Sequence, residues 1–112
     1  MSFLNVQDRF RFSHEKMQKV NLFETADLFC DVYSLEPGQG QKPHTHPDAT
    51  KFYYVLQGQG EFRIGDVTRK LSAGELAYAE PGEVHGVTNT SQERLVLLVA
   101  MGPNPNVARQ GK

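Results

Sequence analysis

Turn-forming residues recur at short, regular intervals along this chain, and that recurrence constrains its fold more than any other feature. The runs "PGQGQKP", "GQG", "GD", "SAGE", "PGE" and "TSQE" break residues 37–93 about every ten positions. Glycine supplies positive φ, proline pre-sets the entry to a turn, and Asp or Ser closes it through side-chain hydrogen bonds. The segments between are short and rich in aromatic and β-branched residues: "KFYYVLQ", "EFRI", "VTRKL", "LAYAE", "VHGVTN". "RFRF", "KVNLFET" and "LFCDVYSLE" precede them, and "RLVLLVAM" ends the series. The pattern predicts eight or nine short strands, with at most one helical turn at "SHEKM", capped by Ser13. Such spacing argues a sandwich, a jelly roll or a closed barrel. Closure hides strand edges and leaves an interior for a small ligand.

A chain of 112 residues is expected to form one domain. Its barrel core should cover about 18–101, a strand and turn 1–17, and a loose Pro-, Gly- and Asn-rich tail 102–112. The net charge of −1 and pI near 6.4 leave no basic field to hold nucleic acid. No apolar run is long enough to span a membrane, and "MSFLNVQDRF" has no apolar signal core. Cys30 has no partner for an internal disulfide, and core packing is its expected role. Together these favour a cytoplasmic location, with neither nucleic acid nor membrane as partner. "RLVLLVAM" is apolar on both faces, so its second face should meet another sheet or another chain. A homodimer is expected, through Leu95–Met101 or through the segment Arg9–Phe12.

His44 and His46 carry the chemistry. As residues i and i+2 of a strand they point to one face, roughly 7 Å apart, and can converge on one ion at about 2.1 Å each. A third donor must come from another strand, and His85 opens one just after the "PGE" turn. The remaining histidine, His14, lies in the "SHEKM" segment and is expected to face solvent. Three neutral imidazoles suit Zn, Ni, Fe, Mn or Cu and leave positions open for water or substrate. No Ser/His/Asp or Cys/His arrangement has supporting spacing, and no glycine pair precedes a helix as a phosphate loop would.

These residues fall in a register that resembles the cupin superfamily. Its first motif, G-x5-H-x-H-x(3,4)-E-x6-G, is matched by Gly38, His44, His46, Lys51 and Gly58. Its second, G-x5-P-x-G-x2-H-x3-N, is matched by Gly74, Gly82, His85 and Asn89; Glu80 departs from it at the first proline position, with Pro81-Gly82 still supplying the turn. The resemblance implies an all-β, antiparallel jelly-roll β-barrel with a divalent metal ion on His44, His46 and His85. It allows dioxygenase, isomerase or decarboxylase chemistry. Lys51 stands where the family's glutamate usually supplies a fourth ligand.

An ammonium about 4 Å from a divalent ion is repelled by about 8 kcal/mol at an effective dielectric near 20. Neutralising it at pH 7 costs about 5 kcal/mol. Three outcomes follow. Lys51 swings away to pair with a carboxylate, Asp48 being the nearest in sequence; it is a neutral amine, as ligand or base; or the metal is absent and Lys51 binds an anion. The first is favoured. Tyr53 and Val55 share the face of Lys51, and Leu76 and Tyr78 are expected to face the same interior, so Tyr53 and Tyr78 are placed to orient a substrate. The favoured function is a metal-dependent enzyme, dioxygenase- or isomerase-like, acting on a small organic substrate in the barrel. The alternative is a non-catalytic module that binds an anion or sugar, with or without metal.

Overall fold

The computed structural model describes residues 2–105. Nine strands form among the described residues: β1 Gln18–Glu24, β2 Phe29–Leu35, β3 Gly40–His44, β4 Thr50–Gln57, β5 Gln59–Ile64, β6 Val67–Ser72, β7 Leu76–Ala79, β8 His85–Thr88 and β9 Leu95–Gly102; all but β3, which runs through the expected turn "PGQGQKP", fall where alternation and turns placed strands. They make two antiparallel sheets, one ordered β1-β2-β9-β4-β7 and the other β3-β8-β5-β6. This is a jelly roll, as expected, but an open one. Among the described residues each strand pairing falls within one sheet, so the ladder does not run round into a closed barrel.

The reason lies at corners such as Gly58. A two-residue hairpin would keep β4 and β5 side by side. Gly58, at φ +85°, instead turns the chain out of one sheet and into the other. A Cβ at this position would overlap the Arg94 carbonyl oxygen, so the corner closes only on glycine. The outer edge strand β6 carries Thr68, Arg69 and Lys70, all exposed, which discourages edge-to-edge pairing.

The core fills the space between the sheets. Tyr33, Leu35, Tyr53, Val55, Leu95, Leu97 and Val99 come from the larger sheet, and Phe62, Leu71 and Val87 from the smaller. Each such side chain contributes roughly 1.5–3 kcal/mol on burial. Register fixes which residues share the inner face. Lys51 lies opposite Met101, which lies opposite Phe29; Tyr53 lies opposite Val99, which lies opposite Asp31. Cys30 is buried on the other face, opposite Ala100, as a packing residue.

β9 is central in its sheet, which explains its two apolar faces. Its second face is met in part by the N-terminal segment of the same chain. Ser2, Phe3, Leu4 and Val6 border a shallow groove with Leu22, Phe23 and Leu98. The Arg11 N–H donates to Ser34 Oγ at 3.2 Å, and Arg94 lies 4.2 Å from the Phe12 ring centroid.

Three local expectations need correction. "RFRF" forms no strand: Phe10 and Phe12 are half-buried, but the segment pairs with no neighbour. The single helical turn among the described residues is a 3-10 turn at Val6–Arg9, where Asn5 Oδ1 accepts from the Gln7 N–H at 3.0 Å. At "SHEKM" the Ser13 hydroxyl instead accepts from the Glu15 N–H at 3.2 Å, closing a bend without a helix. The start of the tail is anchored, since Asn104 is buried and donates to the Thr25 carbonyl at 2.8 Å. The rest of the predicted tail, 106–112, lies outside the described residues. No helix among the described residues is long and apolar enough to cross a membrane.

Candidate metal centre

β3 ends on His44 and β8 begins on His85, and the two are directly paired across the ladder. His46 lies two residues past the end of β3, where its carbonyl accepts from the Gly82 N–H at 2.9 Å. That bond ties the first motif to the "PGE" turn of the second. Gly86 lets the strands close: a Cβ there would come within 2.9 Å of the Gln41 carbonyl oxygen. The three ring centroids lie 4.3, 5.0 and 5.3 Å apart. One nitrogen from each ring falls within 4.8 Å of the others. Donors on an ion at about 2.1 Å lie about 3–3.5 Å apart, so small side-chain rotations complete the fit.

The hydrogen bonds decide which nitrogens are free. His44 Nδ1 lies 2.7 Å from the Lys42 carbonyl, and His85 Nδ1 lies 2.9 Å from the Glu83 carbonyl. A carbonyl only accepts, so each Nδ1 carries the proton and each Nε2 is left with a lone pair. His85 Nε2 is buried and has no hydrogen-bond partner among the described residues. Leaving such a group unpaired costs about 1–3 kcal/mol, which a metal ion removes. Burial pushes the His85 pKa down to about 4; the Lys51, His44 and His46 charges add to this and the Glu83 carbonyl opposes it. His44 and His46 are also lowered, burial being the first cause in each. Neutral imidazole is the ligating form, so the residues fit a divalent cation.

Lys51 does not swing out to Asp48. It is 2 % exposed, and its ammonium donates to Gln41 Oε1 at 3.1 Å. Nζ lies 5.5 Å from the Tyr33 ring centroid and 5.1 Å from that of Tyr53. Asp48 is exposed in its loop. The aromatic walls and Gln41 hold the lysine inside. Burial, then the nearby Lys19 charge, lowers the Lys51 pKa to about 7, against the opposing pull of Asp31.

Tyr53 is fully buried on the expected face, its hydroxyl donating to Gln41 Oε1 at 2.8 Å, and its ring centre is 6.2 Å from that of His85. Burial raises the Tyr53 and Tyr33 pKa values, that of Tyr33 to about 12. Tyr78 is elsewhere. It pairs with Phe52, on the opposite face from Lys51 and Ala79, and is 57 % exposed. The small Ala77 and Ala79 face inward, so the alternation of β7 is offset by one from the expected phase. His14 is exposed, as expected. Glu83 braces its turn, its carboxylate accepting from the Glu80 N–H at 3.1 Å. Asn89 is scaffold: its amide donates to the Leu35 and Glu93 carbonyls at 3.1 and 2.7 Å.

Beside the histidines opens a cavity of about 690 Å³, lined in part by Lys19, Asp31, Tyr33, Gln41, Lys51 and Met101. Sequence reasoning missed Lys19, Asp31, Tyr33 and Gln41. "LFCDVYSLE" is apolar on both faces, which hides the phase of Asp31 and Tyr33. Gln41 reads as turn chemistry, and a bulge between it and His44 lets an odd and an even position face the same way.

The family model for the cupin domain matches residues 31–101, and the chain belongs to the cupin family. Within it, the solved structure of a Thermus thermophilus protein is 37 % identical, with a TM-score of 0.90, covering 94 % of this chain and 100 % of that one. A Thermotoga maritima oxalate-binding protein is 28 % identical over 76 % of this chain and 69 % of its own length. A Bacillus subtilis protein named H2HPP isomerase is 32 % identical over 57 % of this chain, but over only 27 % of itself.

Proposed function

We propose that this chain is a metal-dependent enzyme, in which His44, His46 and His85 hold one divalent ion and the adjoining cavity takes a small organic substrate. Buried His85 Nε2, without a partner and facing two other imidazoles, is the observation that carries this reading. When bound, the ion supplies Lewis acidity; Zn, Ni, Fe, Mn and Cu all accept such donors. Lys51, buried in the cavity wall with its pKa lowered by burial to about 7 in the metal-free chain, is placed to donate as the ammonium to a bound substrate and to pass it that proton. Gln41 fixes the Lys51 amine and the Tyr53 hydroxyl through one oxygen, so the two are positioned together. Proton transfer of this kind suits an isomerase-like reaction, in keeping with the name of the Bacillus subtilis relative.

The test is metal analysis of protein purified without chelator. One equivalent or less of a single divalent metal, lost in each of His44→Ala, His46→Ala and His85→Ala, is the expected result. Wild-type metal content in all three variants would overturn the assignment. A second reading, ligand binding without turnover, is supported by the name of the Thermotoga maritima relative. A metal-loaded protein that binds but never converts small organic acids under air would favour it. A cytoplasmic homodimer completes the proposal. Half-buried Leu98 and the exposed Phe23, at 45 %, offer a surface on the outer face of the larger sheet. Light scattering that shows a monomer at micromolar concentration would remove the dimer.

A further inference from the structure

We propose that Lys51 anchors a carboxylate: the cavity takes a small organic acid with its carboxylate against the Lys51 ammonium and its apolar body against Phe29 and Met101. The proposal rests on the cavity being a small-molecule site, but not on the metal.

An ammonium carries three N–H donors. Lys51 is 2 % exposed, and its one hydrogen-bond acceptor among the described residues is Gln41 Oε1, already shared with Tyr53. No carboxylate among the described residues comes within ion-pair distance of it. Asp31 lines the same cavity, but its carboxylate accepts from Asn21 Nδ2 at 2.9 Å. Buried Lys51 therefore retains donors that a second acceptor would satisfy. The two oxygens of a carboxylate do this with charge-assisted bonds, which a neutral sugar hydroxyl cannot match.

The wider cavity has the same sign. Lys19, Lys42 and Lys51 line it against the single carboxylate of Asp31. The Lys19 ammonium lies 5.5 Å from the centroid of the same Tyr33 ring that Lys51 approaches. The body of the ligand is set by the neighbouring row. Met101 lies directly opposite Lys51, Phe29 lies opposite Met101, and the two pack with Ala49 as a small apolar cluster. A cavity of about 690 Å³ far exceeds an inorganic anion and has an apolar wall for carbon to contact.

Calorimetric titration of the full chain with phenylacetate and with its neutral isostere phenylacetamide tests this, on chelator-stripped protein and in parallel on zinc-loaded protein. The acid should bind stripped protein at least tenfold more tightly than the amide. Lys51→Met should weaken the acid at least tenfold and leave the amide within twofold, with an unchanged circular dichroism spectrum. Equal affinity for acid and amide, undiminished acid binding by Lys51→Met, or inorganic phosphate binding as tightly as the acid would each overturn the proposal. Protein that takes up no zinc yet discriminates acid from amide through Lys51 loses the metal reading alone. Protein that takes up zinc without discriminating loses this one alone.

Discussion

Lys51→Met should stabilise the metal-free protein in acid, with a gain that fades as pH rises. Methionine keeps much of the length of the stem and removes the charge. In the folded chain the Lys51 pKa stands near 7, where the ordinary value is 10.5. That difference corresponds to about 5 kcal/mol at 1.36 kcal/mol per pH unit. The sign follows from proton counting. Between pH 7 and 10.5 the unfolded chain binds more protons at this site than the folded chain, so stability rises with pH there. Below pH 7 the full penalty for burying the ammonium is present; above 10.5 it is gone. The open cavity and the lost Gln41 hydrogen bond trim the benefit, so a gain of about 2–4 kcal/mol at pH 6 is expected. Relief of the lowered histidine pKa values acts in the same direction, since Lys51 contributes to each. Urea unfolding of both proteins at pH 6, 8 and 10, with chelator present, reads the difference directly. A variant no more stable than wild type at pH 6, or a gain that stays constant up to pH 10, would refute the reasoning.

Metal retention should extend below the ordinary imidazole pKa of 6.5, because all three histidines are lowered and His85 reaches about 4. Zinc released at half-occupancy at pH 6.5 or above, in a pH titration followed by a chromogenic chelator, would contradict the burial of these rings. Lys51→Glu should raise zinc affinity at least tenfold by adding a ligand and removing a like charge; equal or weaker binding would show that position 51 cannot reach the ion. Gly58→Ala should lower stability by about 2 kcal/mol or more, since φ is +85° and the added Cβ meets the Arg94 carbonyl. An unchanged urea midpoint would mean that the corner between the sheets is built otherwise.

The strands were legible because their limits are chemical: a glycine with positive φ stands at positions 38, 58, 65, 74 and 82, where the turns were read. The histidine triad was legible for a related reason. His44 and His46 share a strand and its continuation, and His85 follows a Pro-Gly turn that a hydrogen bond fixes to His46. What stayed hidden depends on phase and on solvent. Tyr78 and Ala77 are both credible inward residues by hydropathy, and only the pairing of β7 with β4 decides between them. The "RFRF" alternation marks a segment lying on a sheet as well as a strand within one. Lys51 was misjudged because its repulsion from a metal is visible in the motif, whereas its attraction to Gln41 and two aromatic rings depends on the folded register.

Lysine in place of a carboxylate also changes how the site responds to ligand. A glutamate at position 51 would offset part of the charge of the ion and leave less attraction for an anion. An ion on the three histidines would share the pocket with the Lys51 ammonium as a like charge, and a divalent and a single charge about 8 Å apart repel by about 4 kcal/mol at an effective dielectric near 20. Either the amine gives up its proton, which a pKa near 7 makes inexpensive, or an anion enters to screen one charge from the other. A carboxylate ligand favours both cations at once. Linkage then requires that the ligand raise metal affinity by the same factor as the metal raises ligand affinity. On the proposed reading, ion and carboxylate would therefore bind cooperatively through Lys51, and zinc affinity that does not rise when phenylacetate is present would refute that coupling.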